Sequence, residues 1–213
     1  REGAEMIILA CNTASSDALH KIQQEYLPKK YPGLPNGKRV LGVIIPACED
    51  AVLKTRNKKV GVLGTEATVV SGAFDRELKK LDSKIEVYQE AAPLLVPIVE
   101  AGEEGSESAK AMVKKYVDEI VSCDIDTLIL GCTHYGFFED EIQKCAPNLC
   151  LVTEGPVIGL KLLGMKLMVP TADMVSQHYT LDPGWMQAVV EKSIKCFVDK
   201  GQTTPSTDPL ALA

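Results

Sequence analysis

The sequence predicts an α/β protein built on parallel sheet, and three observations carry that prediction. Short continuous apolar runs of strand length alternate with stretches of helical period. The runs are apolar on every residue rather than on alternate ones, as in strands buried on both faces of a parallel sheet. Two of them match one another: Met6-Ile7-Ile8-Leu9-Ala10-Cys11-Asn12-Thr13 and Thr127-Leu128-Ile129-Leu130-Gly131-Cys132-Thr133-His134. Each is an apolar run, a small residue, a cysteine and then small polar residues. Both cysteines therefore fall at the carboxyl ends of strands, where open α/β sheets place their ligands. A single such cysteine would read as a buried structural thiol. Two in matching contexts point to a site.

The 213 residues allow one large domain or two small ones with a real core. A net charge of -6 and a pI near 5.2 argue against a nucleic-acid partner. No apolar run has transmembrane length, so no membrane partner is expected. No signal peptide is visible, and the chain opens on Arg1 rather than Met, which leads us to expect natural residues upstream. The seven cysteines are irregularly spaced without a C-x-x-C, which supports neither a disulfide framework nor a zinc site. Reduced thiols in the cytoplasm fit best.

Residues 5–10 read as a strand, and Asn12, Thr13, Ser15 and Ser16 open a helix to about residue 26 with Ala18, Leu19, Ile22 and Tyr26 at helical spacing. Cys11 lies just before that helix, where exposed N–H groups favour a thiolate. Residues 28–38 (PKKYPGLPNGK) read as a linker and candidate domain boundary. Residues 40–45 form a second strand, and Pro46 begins a helix. Residues 59–63 form a third strand. Gly64-Thr65 leads into a helix over 66–81, with Thr65 as its cap. A short strand follows at 85–88. Two prolines in 92–102 indicate a loop and a short helix. Residues 106–121 are a helix whose apolar stripe of Ala109, Met112, Val113, Tyr116, Val117, Ile120 and Val121 belongs to the core. After the strand ending at Cys132 come a helix over 137–145 and a strand over 149–152. Helices are expected over 155–163 and 185–199, and the last dozen residues have a disordered composition. Neither G-x-G-x-x-G nor a Walker pattern occurs, so no organic cofactor is implied.

Two thiols facing one another can invert a stereocentre. One, as thiolate, removes a proton from a carbon, and the other returns a proton to the opposite face. Substrate and product are near mirror images, so matched bases on both faces are what the chemistry needs. His134, two residues after Cys132, can exchange a proton with that thiol and hold it poised near neutral pH. Asn12, Thr13 and Thr133 offer donors at two helix starts, for a substrate carboxylate or for plain capping.

At these residues the chain resembles the glutamate racemases of the aspartate/glutamate racemase superfamily. The motifs are Ala10-Cys11-Asn12-Thr13-Ala14-Ser15 and Leu130-Gly131-Cys132-Thr133-His134-Tyr135, supported by 60–68 with Ser71-Gly72 and by 93–100. His-Tyr after Cys-Thr is similar to the glutamate branch. The similarity covers residues 3–152 well and the rest poorly. The resemblance implies cofactor-independent interconversion of L- and D-glutamate for peptidoglycan synthesis. It implies that Cys11 and Cys132 are the acid/base thiols, that His134 and Glu100 assist Cys132, and that Asn12, Thr13, Thr133 and His134 bind substrate. It also implies two similar α/β domains with the site in the cleft between them. Residues 1–38 plus 154–213 would form the first and 39–153 the second.

Three departures stand out. The family's amino-terminal Asp-Ser-Gly and the following Pro-Tyr-Gly are not in this sequence, Ile45 stands where glutamate is usual, and Val152-Thr153-Glu154-Gly155 replaces the usual Val-Asp-Ser. A first domain without its first strands would leave a sheet edge and an apolar face uncovered. The isolated chain is then expected to be poorly soluble or to pair as a homodimer. Two other readings remain open from the residues: a Cys-His hydrolase with one nucleophilic cysteine, and a remnant that binds an acidic amino acid without inverting it.

Overall fold

The structure is a computed structural model and describes residues 6–32, 39–155 and 157–158. The elements below all belong to one compact unit, Arg1–Glu154. In chain order they are β1 (Met6–Leu9), α1 (Asn12–Lys21), a π-helical stretch (Ile22–Tyr26), α2 (Leu27–Lys30), β2 (Arg39–Gly42), α3 (Ile44–Lys54), β3 (Lys59–Gly64), α4 (Glu66–Ser71), α5 (Ala73–Leu81), β4 (Glu86–Ala91), α6 (Leu95–Glu100), α7 (Glu107–Val121), β5 (Thr127–Gly131), a 3-10 turn (Thr133–Phe138), α8 (Glu139–Cys145) and β6 (Cys150–Val152).

Among the described residues the strands form two sheets, β1-β2 and β4-β3-β5-β6, and every pairing is parallel. β5 is buried along its whole length and β3 along all but its first residue. Their continuous apolar runs are thus the inner strands, as the lack of alternation predicts. On one face Leu63, Leu128 and Leu130 meet Val113, Tyr116, Val117 and Ile120 of α7 and Ile142 of α8 in one cluster. Each such fully buried side chain contributes roughly 1.5–3 kcal/mol. The opposite face carries α3 and α5, with Phe74 against Val62 and Gly131.

Several elements differ from expectation, each for a local reason. The helix expected over 66–81 is two helices, because Gly72 adopts a left-handed conformation (φ 61°) that closes α4 with a bond from its N–H to Val69 O. The strand expected at 85–88 runs to Ala91, paired with β3 from end to end. Its polar residues (EVYQEA) hide an edge strand that needs little apolar surface. The strand expected to reach Ile45 stops at Gly42, and α3 begins at Ile44 with Pro46 in its first turn. The first helix continues beyond residue 26 through α2, so Pro28 sits within a helical segment rather than starting a linker. Residues 33–38 of that expected linker lie outside the described residues. The helix expected from 137 is preceded by the 3-10 turn, and α8 proper starts at Glu139. Of the helix expected over 155–163, residues 155, 157 and 158 are described and are helical. The expectations for 165–183, for the helix over 185–199 and for the final dozen residues lie outside the described residues. β1 leaves Ile7 53% and Ile8 38% exposed, and Ile45 is 39% exposed.

At the amino ends of the strands one carboxylate organises a loop. Asp126 accepts from Thr55 Oγ1 at 2.7 Å, from the N–H groups of Arg56 and Asn57 at 2.7 and 2.8 Å, and from Thr127 Oγ1 at 2.9 Å. Burial works against its charge, but the hydrogen bonds from Thr55, Asn57, Arg56 and Thr127 hold it below the usual carboxylate range. A lowered folded pKa means the stabilisation is present above the unfolded value of about 3.9 and fades as pH falls through the folded value. Asp126→Asn is expected to cost about 1–3 kcal/mol near neutral pH. In urea titrations at several pH values, the gap to the parent should close in acid.

Candidate active site

Cys11 lies at the carboxyl end of β1, at the amino terminus of α1, and is exposed. Its carbonyl accepts from Ser15 N–H at 2.9 Å, and Ser15 Oγ donates to Leu9 O at 3.0 Å. The first turn of α1 is thereby laced to the end of β1. Asn12 is buried, and its carboxamide N–H donates to Glu154 Oε1. Thr13 Oγ1 lies 3.0 Å from Thr65 Oγ1 and 3.2 Å from Thr68 Oγ1, and those two hydroxyls are 2.9 Å apart. Thr65 also caps α4, accepting from Thr68 N–H at 3.2 Å. This triangle of hydroxyls joins the Cys11 segment to the end of β3. The two sheets are thus tied together at their carboxyl ends.

Cys132 follows β5 and is 8% exposed. The residue before it has to be small: a Cβ on Gly131 would come 3.0 Å from the Phe74 ring and 3.2 Å from Leu63 O. Tyr135 holds the turn from the other side. Its N–H donates to Cys132 O at 3.0 Å, and its hydroxyl bonds to Ala92 O at 2.7 Å and Gly64 O at 3.1 Å. His134 Nδ1 is 3.8 Å from Cys132 Sγ, and His134 Nε2 is 2.6 Å from Glu100 Oε1. Glu100, at the end of α6, therefore backs the imidazole that contacts the sulfur. Thr133 is exposed.

Burial pushes the Cys132 thiol up to about 11. The backbone N–H of His134 works against that rise, the charges of Glu154 and Cys11 add to it, and the N–H of Tyr135 again opposes it. The expectation that His134 holds this thiol near neutral is corrected: desolvation outweighs its neighbours, and Cys132 stays protonated at neutral pH.

All the residues singled out from the sequence, Cys11, Asn12, Thr13, Glu100, Cys132, Thr133 and His134, lie at or beside strand carboxyl ends or on the helices that follow them. The sequence reading passed over Glu154 and Thr68 as site residues. Glu154 follows β6 as a lone acid after an apolar run, a signal that marks it only once β6 is known to lie beside β5. Among the described residues no cluster of His, Cys, Asp or Glu could hold a metal, and no helix is long and apolar enough to cross a membrane.

The fold and site define a parallel α/β protein with one cysteine after β1 and another after β5, the second contacted by a histidine that a carboxylate backs. The family model described as Asp/Glu/Hydantoin racemase matches residues 1–159, and the chain belongs to that family. It is similar to the glutamate racemase of Sulfurihydrogenibium sp., 44% identical over 165 residues that cover 78% of this chain and 60% of the relative. It is also similar to that of Persephonella marina, 41% identical over 75% of this chain and 58% of the relative. The chain therefore spans less than two thirds of the length of these curated relatives. Among solved structures, the glutamate racemase of Bacillus anthracis superposes with a TM-score of 0.66 at 31% identity, covering 76% of this chain and 58% of that one. The glutamate racemase of Francisella tularensis in complex with D-glutamate gives 0.64 at 28% identity, covering 79% and 60%.

Tyr135→Phe is expected to cost about 0.5–1.5 kcal/mol, the net worth of the shared hydroxyl hydrogen bond, since Gly64 O and Ala92 O keep their backbone N–H donors. A lower urea midpoint with unchanged secondary structure would show this.

Proposed function

We propose that this chain carries the two-thiol site of a glutamate racemase. The observation that best supports the reading is the pair of cysteines at parallel strand ends, with the residues after Cys11 tied by Asn12 to Glu154 and by Thr13 to Thr65 and Thr68. In one direction the Cys11 thiolate takes the Cα proton. That C–H bond breaks, an S–H bond forms, and the electron pair stays on Cα beside the substrate carboxylate. Cys132 then gives its proton to the opposite face and becomes the thiolate. The reverse direction exchanges the roles, as two-base inversion requires. A protonated Cys132 is the form needed to deliver a proton, and the Glu100–His134 pair is placed to manage the proton on its sulfur. Asn12, Thr13, Thr133 and His134 would bind the amino and carboxylate groups of glutamate. The relatives named above support glutamate as the substrate. On this reading the protein works in the cytoplasm and supplies D-glutamate for peptidoglycan.

One observation favours a second reading. The Glu100–His134–Cys132 line also has the order of acid, base and nucleophile in a cysteine hydrolase. That chemistry would need only Cys132.

Replacing Cys11 or Cys132 singly by Ser in the purified full-length protein separates the two. Each variant should lower racemisation by about 100-fold or more. Solvent deuterium should enter glutamate Cα in the parent. A Cys11→Ser protein that racemised at the parent rate would sink the proposal.

The exposed Ile7, Ile8 and Tyr26 support pairing with a second copy. Sedimentation of this chain alone should show a dimer or larger species, and a stable monomer would contradict it.

A further inference from the structure

Glu154 has no role in the proton transfers above, yet it sits where the two cysteine motifs meet. It follows β6 and is 9% exposed. One carboxyl oxygen receives the Asn12 carboxamide N–H, a contact between residues 142 positions apart. Its other oxygen and Asn12 Oδ1 are buried without a hydrogen-bond partner among the described residues. Val152 pairs with Ile129, so Glu154 and Cys132 leave neighbouring parallel strands at the same end of the sheet.

We propose that Glu154 is a positioning residue of the two-cysteine site: its carboxyl pins the Asn12 carboxamide beside Cys11, and its charge acts on the Cys132 sulfur at the adjoining strand end. Three physical points lead there. Asn12 is two per cent exposed, so a partner must hold its carboxamide within the fold, and Glu154 is that partner. An unpaired carboxylate in such a place is costly, whereas a neutral carboxyl is tolerated. Burial accordingly pushes Glu154 up to about 8, with the Asn12 hydrogen bond partly offsetting the rise. At neutral pH the group is then mostly uncharged and places no anion beside Cys132. Above that range it ionises and opposes a Cys132 thiolate by like-charge repulsion. The titratable groups that face it are Cys132, from the end of β5, and, through Cys132, Cys11 at the start of α1. His134, backed by Glu100, contacts the same sulfur. Glu154 stands in the stretch where this chain departs from the usual Val-Asp-Ser, so the device belongs to this sequence.

The term "site" rests on the racemase reading, but the test of the charge does not. Cys132 is alkylated with neutral iodoacetamide and with anionic iodoacetate, and each product is quantified by peptide mass spectrometry. The fraction of thiolate cancels in the ratio of the two rates, which leaves the local charge. In the parent the ratio should rise about threefold or more as pH passes upward through the range where Glu154 ionises, the effect of one nearby unit charge under partial screening. In Glu154→Gln that rise should be lost, while any slope from Cys11 ionisation stays common to both proteins. Identical pH profiles at Cys132 in the two proteins would overturn the proposal. For the pinning, Glu154→Gln keeps an acceptor for Asn12 and should keep the KM for glutamate below pH 8, whereas Glu154→Ala should raise KM more than it lowers kcat. An unchanged KM in Glu154→Ala would overturn that half. A protein that shows the expected alkylation ratios but no racemisation would sink the racemase reading and leave the charge role of Glu154 standing.

Discussion

The phenol of Tyr135 ties the carboxyl end of the four-stranded sheet to the turn that carries Cys132, and the cysteine site depends on that tie. Past Gly64 and Ala91 the ladder between β3 and β4 ends, with Ala92 N–H donating to Gly64 O at 2.9 Å and Leu95 N–H to Ala92 O at 3.2 Å. Tyr135 OH reaches both from within the turn that carries Cys132 and His134. The same residue anchors its backbone to Cys132 O. One side chain thus joins the end of β3, the segment that turns from β4 into α6, and the turn that holds the second sulfur. Glu100, at the end of α6, meets His134 across this closed corner. The single phenolic proton is shared between two carbonyls that also accept backbone N–H bonds, so the hydroxyl adds a directional tie to a corner the backbone already closes.

A second layer ties the Cys11 segment to that corner. β1 belongs to a separate two-stranded sheet, so no backbone ladder links it to β3 or β5 among the described residues. The connection is made by side chains instead: the Thr13–Thr65–Thr68 hydroxyls on one side and Asn12–Glu154 on the other. Hydroxyl and carboxamide contacts are directional, so they set position without adding apolar area. Polar residues clustered after each strand therefore serve the geometry of the pair of sulfurs as well as local capping.

Two buried acids at this corner are held in their protonated forms. Burial raises both Cys132 and Glu154, so each resists giving up its proton. The backbone N–H groups of His134 and Tyr135 pull the other way at Cys132.

Much of the architecture was legible in the chain itself. Continuous apolar runs such as VGVLG and TLILG announce inner parallel strands, because a strand covered on both faces cannot alternate. The cysteines, Asn12, Thr13, His134 and Glu100 could be named from motifs that stay local in sequence. What the chain could not show was partnership over distance. β4 reads as polar because an edge strand is held by its ladder, and the break of one helix into α4 and α5 turns on a single left-handed glycine. Glu154 is silent until β6 is laid beside β5 and α1 is brought across the strand ends. Periodicity and motif spacing are properties of neighbours in sequence, so they indicated most strands and helices and the candidate site residues. Burial and charge are properties of neighbours in space, and only the folded chain decided that Cys132 keeps its proton and that Glu154 stands between the two cysteine motifs.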